Sequence, residues 1–158
     1  MKRRWAVALG ILTSVWAMPV CAATVSYLES PSRPEEKEVA QAFERVFLAY
    51  ADKNLGRITE YFAEGMIFYP NRPQTLSSGS PPRIFRGRRD VGITLTQGTS
   101  RNHRVTVRSI QVDGREAIVT ARHAFDVGER TLTYREETRK WKFRKEGETW
   151  LVFELDAR

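Results

Sequence analysis

The chain has 158 residues, a net charge of +7 and a single cysteine, Cys21. One cysteine excludes an internal disulfide and a zinc site built from cysteines. A chain of this length is long enough for one domain with a hydrophobic core of its own.

The N-terminal residues have the pattern of an export signal. Three basic residues at 2–4 precede an uncharged stretch over 5–18, and small residues follow. This pattern is typical of a secretory signal peptide, and the stretch is shorter than the roughly 20 apolar residues of a membrane span. We therefore assign residues 1–23 to a signal peptide and expect a periplasmic or secreted protein without a stable membrane span after cleavage. The alternatives are a retained anchor helix and a lipid attached to Cys21.

The next residues predict a long amphipathic helix. Residues 24–33 are interpreted as a polar lead-in, and residues 34–158 as a single domain. A capping box that begins at Ser32 predicts a helix over 34–51. Its apolar residues recur at helical spacing and predict a stripe buried against a sheet. The stripe consists of Val39, Phe43, Val46, Phe47 and Tyr50.

A second, shorter helix is predicted after Asn54, which suits an N-cap position. Gly65 suits the C-terminal end of this helix, and a short strand is predicted from Met66 to Tyr69. Residues 70–82 are rich in Pro, Ser and Gly and predict a loop. A third short helix is predicted around residues 88–95.

From residue 103 onward the apolar residues alternate, which is typical of strands. The predicted strands are 103–112, 116–127, 131–145 and 149–156. Asp113-Gly114 indicates a hairpin turn between the first two. Helices followed by a run of strands predict an α+β domain, with the helices packed on one face of a curved, mostly antiparallel sheet.

The first hairpin is predicted to bring two histidines together. The apolar residues on either side of 108–109 have opposite parity, so a β-bulge there keeps them on one face of the sheet. With Asp113-Gly114 as the turn, His103 then lies opposite His123. Like-charge repulsion would hold the pKa of at least one imidazole below its reference of about 6.5. The pair is interpreted either as a pH-sensitive pocket rim or weak metal site, or as two solvent-exposed histidines without a role.

Four motifs, in this order and spacing, resemble the nuclear transport factor 2-like superfamily, which includes SnoaL-like polyketide cyclases and ketosteroid isomerases. The motifs are Phe43–Ala63, Phe85–Val91, Val112–Val119 and Trp141–Val152. The resemblance covers most of the chain after the leader. It implies a cone-shaped α+β barrel, in which a strongly bent sheet holds the helices in its concave face and leaves a pocket. The last half also resembles accessory domains attached to some periplasmic L,D-transpeptidases.

The resemblance places a functional site in the pocket of the cone. Catalytic members similar to ketosteroid isomerase use an Asp base and a Tyr donor there, but no such pair maps onto this sequence. Asp126 is the nearest candidate for the base, and Tyr69 and Tyr134 are possible donors. Aromatic and polar side chains line most ligand pockets. The ligand-binding candidates are Phe47, Tyr69, His123, Phe125 and Trp141. We expect no cofactor and no metal, because the chain has two histidines and no HExxH motif or cysteine cluster.

These features favour an exported accessory or binding domain without catalytic activity, which docks a protein partner or holds a small ligand or cell-wall fragment. The alternative is a SnoaL-like enzyme acting on a small hydrophobic substrate. Residues 83–145 are strongly basic, which an arginine-rich, solvated sheet face explains; the alternative is a face that attracts anionic polymers or membrane surfaces. We expect no nucleic-acid partner for an exported protein. The resemblance implies a homodimer, or a protein partner, on the outer face of the sheet. Residues predicted on that face are Leu132, Tyr134, Glu136, Lys140 and Lys142.

We predict that the exported protein begins at Ala23 or Thr24, because small residues precede both positions as a signal peptidase requires. N-terminal sequencing of the exported protein, expressed with its own leader, measures this directly. An intact Met1 or a lipid on Cys21 would contradict the prediction.

Overall fold

The structure, a computed structural model, describes residues 23–71, 83–128 and 130–158. Within these residues, three helices pack against one curved sheet of seven strands. This arrangement confirms the predicted α+β fold class. The assigned signal peptide, apart from Ala23, and most of the loop predicted over 70–82 lie outside the described residues.

The helices precede the long strands in the chain. In chain order the elements are β1 (Thr24–Tyr27), α1 (Pro34–Ala51), α2 (Leu55–Glu60), β2 (Phe62–Tyr69), β3 (Phe85–Arg86), α3 (Arg88–Thr96), β4 (Arg101–Asp113), β5 (Glu116–Val127), β6 (Thr133–Glu146) and β7 (Thr149–Asp156). The strand order in the sheet is β1-β4-β5-β6-β7-β2-β3. Strands β4 to β7 form an antiparallel meander, whereas β1 and β2 pair in parallel with β4 and β7. The four long strands confirm the predicted ones to within two residues at each end.

Helix α1 has the bounds that the sequence predicts, and its apolar stripe is fully buried. The predicted cap is wrong by one residue, because Arg33 rather than Ser32 is the N-cap. The Glu36 carboxylate, not that of Glu35, accepts hydrogen bonds from the backbone N–H groups of Ser32 and Arg33, at 3.0 and 3.2 Å. A negative charge at this position also complements the positive end of the helix dipole.

Helix α2 is shorter than predicted. Asn54 caps it as expected, since its Oδ1 accepts a hydrogen bond from the backbone N–H of Arg57 at 3.0 Å. The chain then enters β2 at Phe62, so Gly65 lies within a strand instead of ending the helix. Pairing with β7 stabilises this strand. The sequence of β2 alone does not reveal that pairing.

Two short strands are absent from the sequence prediction. Strand β1 lies in the segment interpreted as a polar lead-in and pairs with residues 104–107 of β4. Strand β3 has two residues and pairs with Ile67 and Phe68 of β2. Strands this short are stabilised by their neighbours rather than by a pattern of their own, which is why periodicity misses them.

The hairpin of β4 and β5 contains the predicted β-bulge. Arg108 has no partner, because it lies between the Val107–Ala121 and Ser109–Thr120 pairs. The extra residue restores the phase of β4, so the valines before the bulge and the apolar residues after it contribute to one side of the sheet.

The turn of this hairpin differs from the prediction. Asp113 pairs with Glu116, so Gly114 and Arg115 form the turn instead of Asp113 and Gly114. Gly114 has φ +57°, a left-handed conformation that glycine adopts without strain. The change moves the register by two residues on β5, and Val105 rather than His103 lies directly opposite His123.

Among the described residues, no helix combines the length and the hydropathy that a membrane crossing requires.

We predict that Phe47→Ala lowers the free energy of unfolding by about 3–5 kcal/mol, because it removes a fully buried aromatic side chain from the core. The matched control is Leu48→Ala on the same helix, where the side chain is 44% exposed; its effect should stay within about 0.5 kcal/mol. Urea denaturation measures both. Equal losses in the two variants would contradict the assigned burial of the stripe.

Candidate functional site

Three polar side chains lie inside the hydrophobic core at the side of the sheet formed by β4, β5 and β6. They are His103, His123 and Arg139, which are 1%, 1% and 6% exposed. We call them the polar cluster. Burial of polar or charged groups costs free energy unless they are paired, so the partners of each group decide what the cluster can do.

Strand pairing brings the cluster together on the concave face of the sheet. His123 pairs with Glu137, and Arg139 lies two residues further along the same face of β6. Val105 pairs with His123, and His103 lies two residues from Val105 on β4. The three side chains are therefore diagonal neighbours across adjacent strands, close enough for long side chains to touch.

The two histidines form a hydrogen-bonded pair. The distance from His103 Nδ1 to His123 Nε2 is 3.0 Å, and the rings stack with centroids 5.2 Å apart. One nitrogen donates and the other accepts, so a single proton lies between the rings. The predicted contact is confirmed, but the two meet diagonally instead of directly opposite. The alternative of two solvent-exposed histidines is wrong, because the core covers both.

Burial lowers the pKa of both imidazoles. For His103 the pKa falls to about 4: burial is the main cause, a hydrogen bond with the Ser100 backbone opposes it, and the charges of Arg139 and Lys53 add to it. Burial also lowers the pKa of His123, followed by the charges of Arg139 and His103. Both rings are therefore neutral at pH 7. The direction agrees with the sequence prediction, but desolvation, not repulsion between the rings, is the leading cause.

Arg139 keeps its charge inside the core. Burial opposes ionisation of the guanidinium, but the Tyr50 hydroxyl and the Glu137 carboxylate outweigh it and raise the pKa of Arg139. Its Nε donates a hydrogen bond to Glu137 Oε1 in an ion pair. The guanidinium also lies 5.3 Å from the Tyr50 ring centroid and 5.8 Å from that of Phe125. Such contacts stabilise a cation where water is excluded.

Aromatic rings enclose the histidine pair. The Phe47 ring meets His123 edge-on at 5.3 Å, and the Tyr50 ring meets His103 at 4.9 Å. Phe125 lies 4.7 Å from His123. Two of these rings come from α1 and one from β5, so the helix and the sheet build the site together.

Two polar atoms of the cluster have no hydrogen-bond partner among the described residues. They are Nδ1 of His123 and Nη1 of Arg139, and both are shielded from solvent. A buried polar atom without a partner costs about 1–3 kcal/mol. Because both side chains touch the same two rings, those of Tyr50 and Phe125, the two atoms belong to one region of the interior.

The structure brings three of the five predicted ligand-binding residues into this region: Phe47, His123 and Phe125. Trp141 lies one side chain away in the core, where its ring meets Phe43 edge-on at 5.7 Å. Tyr69 is not part of the site. It pairs with Asp156 at the end of β2, and the Arg158 guanidinium covers its ring at 4.2 Å.

Sequence reasoning missed Arg139 and Tyr50 as site residues. Arg139 shares its strand face with Trp141 and Phe143, both buried. A charged residue at a position that the alternation assigns to the buried face is the signal that could have identified Arg139. Tyr50 was assigned to the apolar stripe. Its contacts with His103 and Arg139 depend on where α1 crosses the sheet.

The candidates for acid–base chemistry lie elsewhere. Asp126 Oδ2 accepts a hydrogen bond from Asn102 Nδ2 at 2.8 Å near the end of the hairpin. Tyr134 is 54% exposed and donates to Glu136 Oε2 at 2.8 Å. The described residues therefore bring neither of these side chains into the polar cluster.

The described part of the chain contains no group of three or more His, Cys, Asp or Glu side chains that could hold a metal ion. The positive charge of Arg139 beside the histidine pair further disfavours a cation there.

No family model and no curated protein sequence matches this chain. Solved structures do match. A ketosteroid isomerase-like protein from Erwinia carotovora has 11% identity and a TM-score of 0.64, with 79% of this chain and 95% of that chain covered. A putative dehydratase of the NTF2-like family from Streptomyces avermitilis has 15% identity and a TM-score of 0.60, with 77% and 92% covered.

A putative calcium/calmodulin dependent protein kinase II association domain from Xanthomonas campestris has 13% identity and a TM-score of 0.61, with 84% of this chain and 94% of that chain covered. At such identities the likeness shows the fold alone. The chain therefore has the cone-shaped NTF2-like fold that the sequence motifs imply, and the polar cluster lies inside the cone.

We predict that the free energy of unfolding falls as the pH drops from about 6.5 toward 4. Unfolded histidines take up protons below about 6.5, whereas the native rings stay neutral until nearer pH 4, so acid favours the unfolded state. Each imidazole contributes at most about 1.4 kcal/mol per pH unit. Urea denaturation at pH 7 and pH 5 measures the loss.

The matched variant is His103→Gln combined with His123→Gln, which should show a smaller loss between pH 7 and pH 5. NMR titration of the wild-type imidazoles gives a second test that needs no variant. Ring signals that titrate near pH 6.5 would contradict the predicted neutrality.

Proposed function

We propose that this chain is an exported binding domain that holds a small ligand inside the cone, at the polar cluster. The observation that carries the proposal is the pair of buried, unpartnered polar atoms on His123 and Arg139, within an aromatic-lined interior. Ligand sites are typically apolar and aromatic, with a few placed polar groups that fix orientation. The cluster has this composition.

The cost of the cluster to folding supports a functional role. Apolar side chains in place of a buried ion pair are often neutral or stabilising, and the interior here holds an ion pair together with two imidazoles. Hydrogen bonding within the cluster satisfies Nε of Arg139 and one nitrogen of each histidine, but two polar atoms have no partner within residues 23–71, 83–128 and 130–158. A ligand that pairs with both atoms would remove that cost.

The alternative function is catalysis by the histidine pair. A direct hydrogen bond between two imidazoles is a path for proton transfer, and the fold neighbours include proteins described as dehydratase and isomerase-like. A general base works best when its pKa lies near the working pH, however, and burial lowers the pKa of both rings well below 7. This property favours binding over catalysis.

Other parts of the proposal rest on the sequence. Export rests on the leader, and an accessory role beside a cell-wall enzyme rests on the resemblance to L,D-transpeptidase accessory domains. A homodimer, or a protein partner on the outer sheet face, is consistent with the exposure of Leu132 and Tyr134, at 47% and 54%. These remain predictions.

We predict that small compounds which bind the mature chain shift the NMR signals of His123, Tyr50 and Phe125. Arg139→Lys keeps the charge but removes Nη1, and should weaken such ligands roughly tenfold or more, since a hydrogen bond to a charged group contributes about 1.5–3 kcal/mol. The matched control is Arg144→Lys on the same strand, an exposed arginine that should leave affinity unchanged. A fragment screen by NMR, with each variant checked by circular dichroism, provides the measurement.

Binding that perturbs only surface residues, or equal affinity in the Arg139 and Arg144 variants, would overturn the proposed site. Turnover of a bound compound, lost on His123→Gln while binding persists, would instead support the enzyme.

A further inference from the structure

We propose that the group recognised inside the cone is a carboxyl group, bound together with one proton that it shares with the histidine pair. The inference rests on the proposed ligand site and goes beyond it, because it names the chemistry of the ligand and couples binding to proton uptake. Each unpartnered atom of the cluster restricts the ligand to groups that complement what that atom can donate or accept.

Arg139 fixes the first half of the ligand group. Its Nε donates to Glu137, while Nη1 has no hydrogen-bond partner in the described part of the chain. A guanidinium nitrogen only donates hydrogen bonds. The ligand atom that meets Nη1 must therefore be an acceptor, such as a carbonyl or carboxylate oxygen.

His123 fixes the second half. His103 Nδ1 lies 3.0 Å from His123 Nε2, so one of these two nitrogens donates and the other accepts. In the proposed site the proton of His103 is on Nε2, which agrees with the Ser100 backbone raising the pKa of this ring, and His103 Nδ1 accepts a hydrogen bond from His123 Nε2. Nδ1 of neutral His123 is then a free lone pair that requires a donor.

A carboxylic acid offers an acceptor and a donor on two adjacent oxygens. Its carbonyl oxygen accepts from Arg139 Nη1, and its O–H donates to His123 Nδ1. A carboxylate bound to protonated His123 is the same complex with the proton on nitrogen instead of oxygen. In either form, binding of the carboxylate from solution brings one proton into the site. A phosphate would bring net negative charge into a site where Glu137 already balances the guanidinium of Arg139, whereas a carboxyl group that binds with its proton is neutral. The aromatic rings around the cluster suit an apolar ligand body.

The charges around the pair are compatible with this ligand. Strand β6 contributes Arg139 and the Glu137 carboxylate that its Nε binds, α1 contributes the Tyr50 hydroxyl, and Lys53 after α1 adds a positive charge. Strands β4 and β5 contribute the two imidazoles. Arg139 and Glu137 compensate each other, so a bound carboxyl group meets no unpaired negative charge among these groups.

The test compares acids with their matched amides. A primary amide has the same acceptor and donor pattern but binds without a proton. We expect benzoate to bind the mature wild-type chain about tenfold more weakly for each pH unit between 5.5 and 7.5, while the affinity for benzamide stays constant. Acetate and acetamide form a second, smaller pair. Isothermal titration calorimetry in buffers of different ionisation enthalpy should show uptake of one proton per acid and none per amide.

His123→Gln should abolish proton uptake and the pH dependence of acid binding, and Arg139→Lys should weaken both members of each pair. If a variant fails to fold, the proton uptake of the wild-type chain, measured by calorimetry in the different buffers, is sufficient to test the carboxyl inference. Acid binding without proton uptake, or no acid binding at pH 5.5, overturns the carboxyl inference. The proposed ligand site survives either result if an amide or another neutral fragment still shifts the His123 signals, and fails if none does.

Discussion

The packing of the α1 aromatic stripe onto the concave face of the sheet is the contact on which the rest of the structure depends. Phe43 meets Trp141 of β6, and Phe47 stacks on Phe43 at 5.9 Å while its edge contacts His123. Tyr50 ends the stripe beside both His103 and Arg139. The same helix face therefore contributes to the apolar core at one end and to the polar cluster at the other, which places the site directly beside the core.

This arrangement joins stability to function. An imidazole pair buried against Phe47 and Tyr50 remains neutral because the core excludes water from it, and Arg139 remains charged because Glu137 and the Tyr50 hydroxyl compensate for burial. The aromatic shell that stabilises the fold thus also sets the protonation state of the groups that face the interior. The same enclosure shields the two polar atoms that have no partner among the described residues, and burial without a partner costs free energy.

The NTF2-like fold alone does not define the activity, because its neighbours bear names as different as dehydratase and association domain. Function in such folds depends on the side chains that line the cone. In this chain the cone interior has histidine, arginine and aromatic side chains, whereas Asp126 and Tyr134 point to other surroundings. This composition is the physical reason for preferring ligand binding to chemistry of the ketosteroid isomerase kind.

The sequence by itself determined the bounds of α1, the burial of its stripe, the four long strands and the bulge at Arg108, because helical spacing, alternation and a parity change are local signals. It also brought His103 and His123 together. Only the tertiary structure decided the turn at Gly114-Arg115, the parallel pairing of β1 with β4 and of β2 with β7, and the end of α2. The sequence also left the roles of Arg139 and Tyr50 undecided. Burial of the cluster depends on how α1 crosses three strands that are distant from it in the chain, and this burial in turn sets the protonation of the cluster.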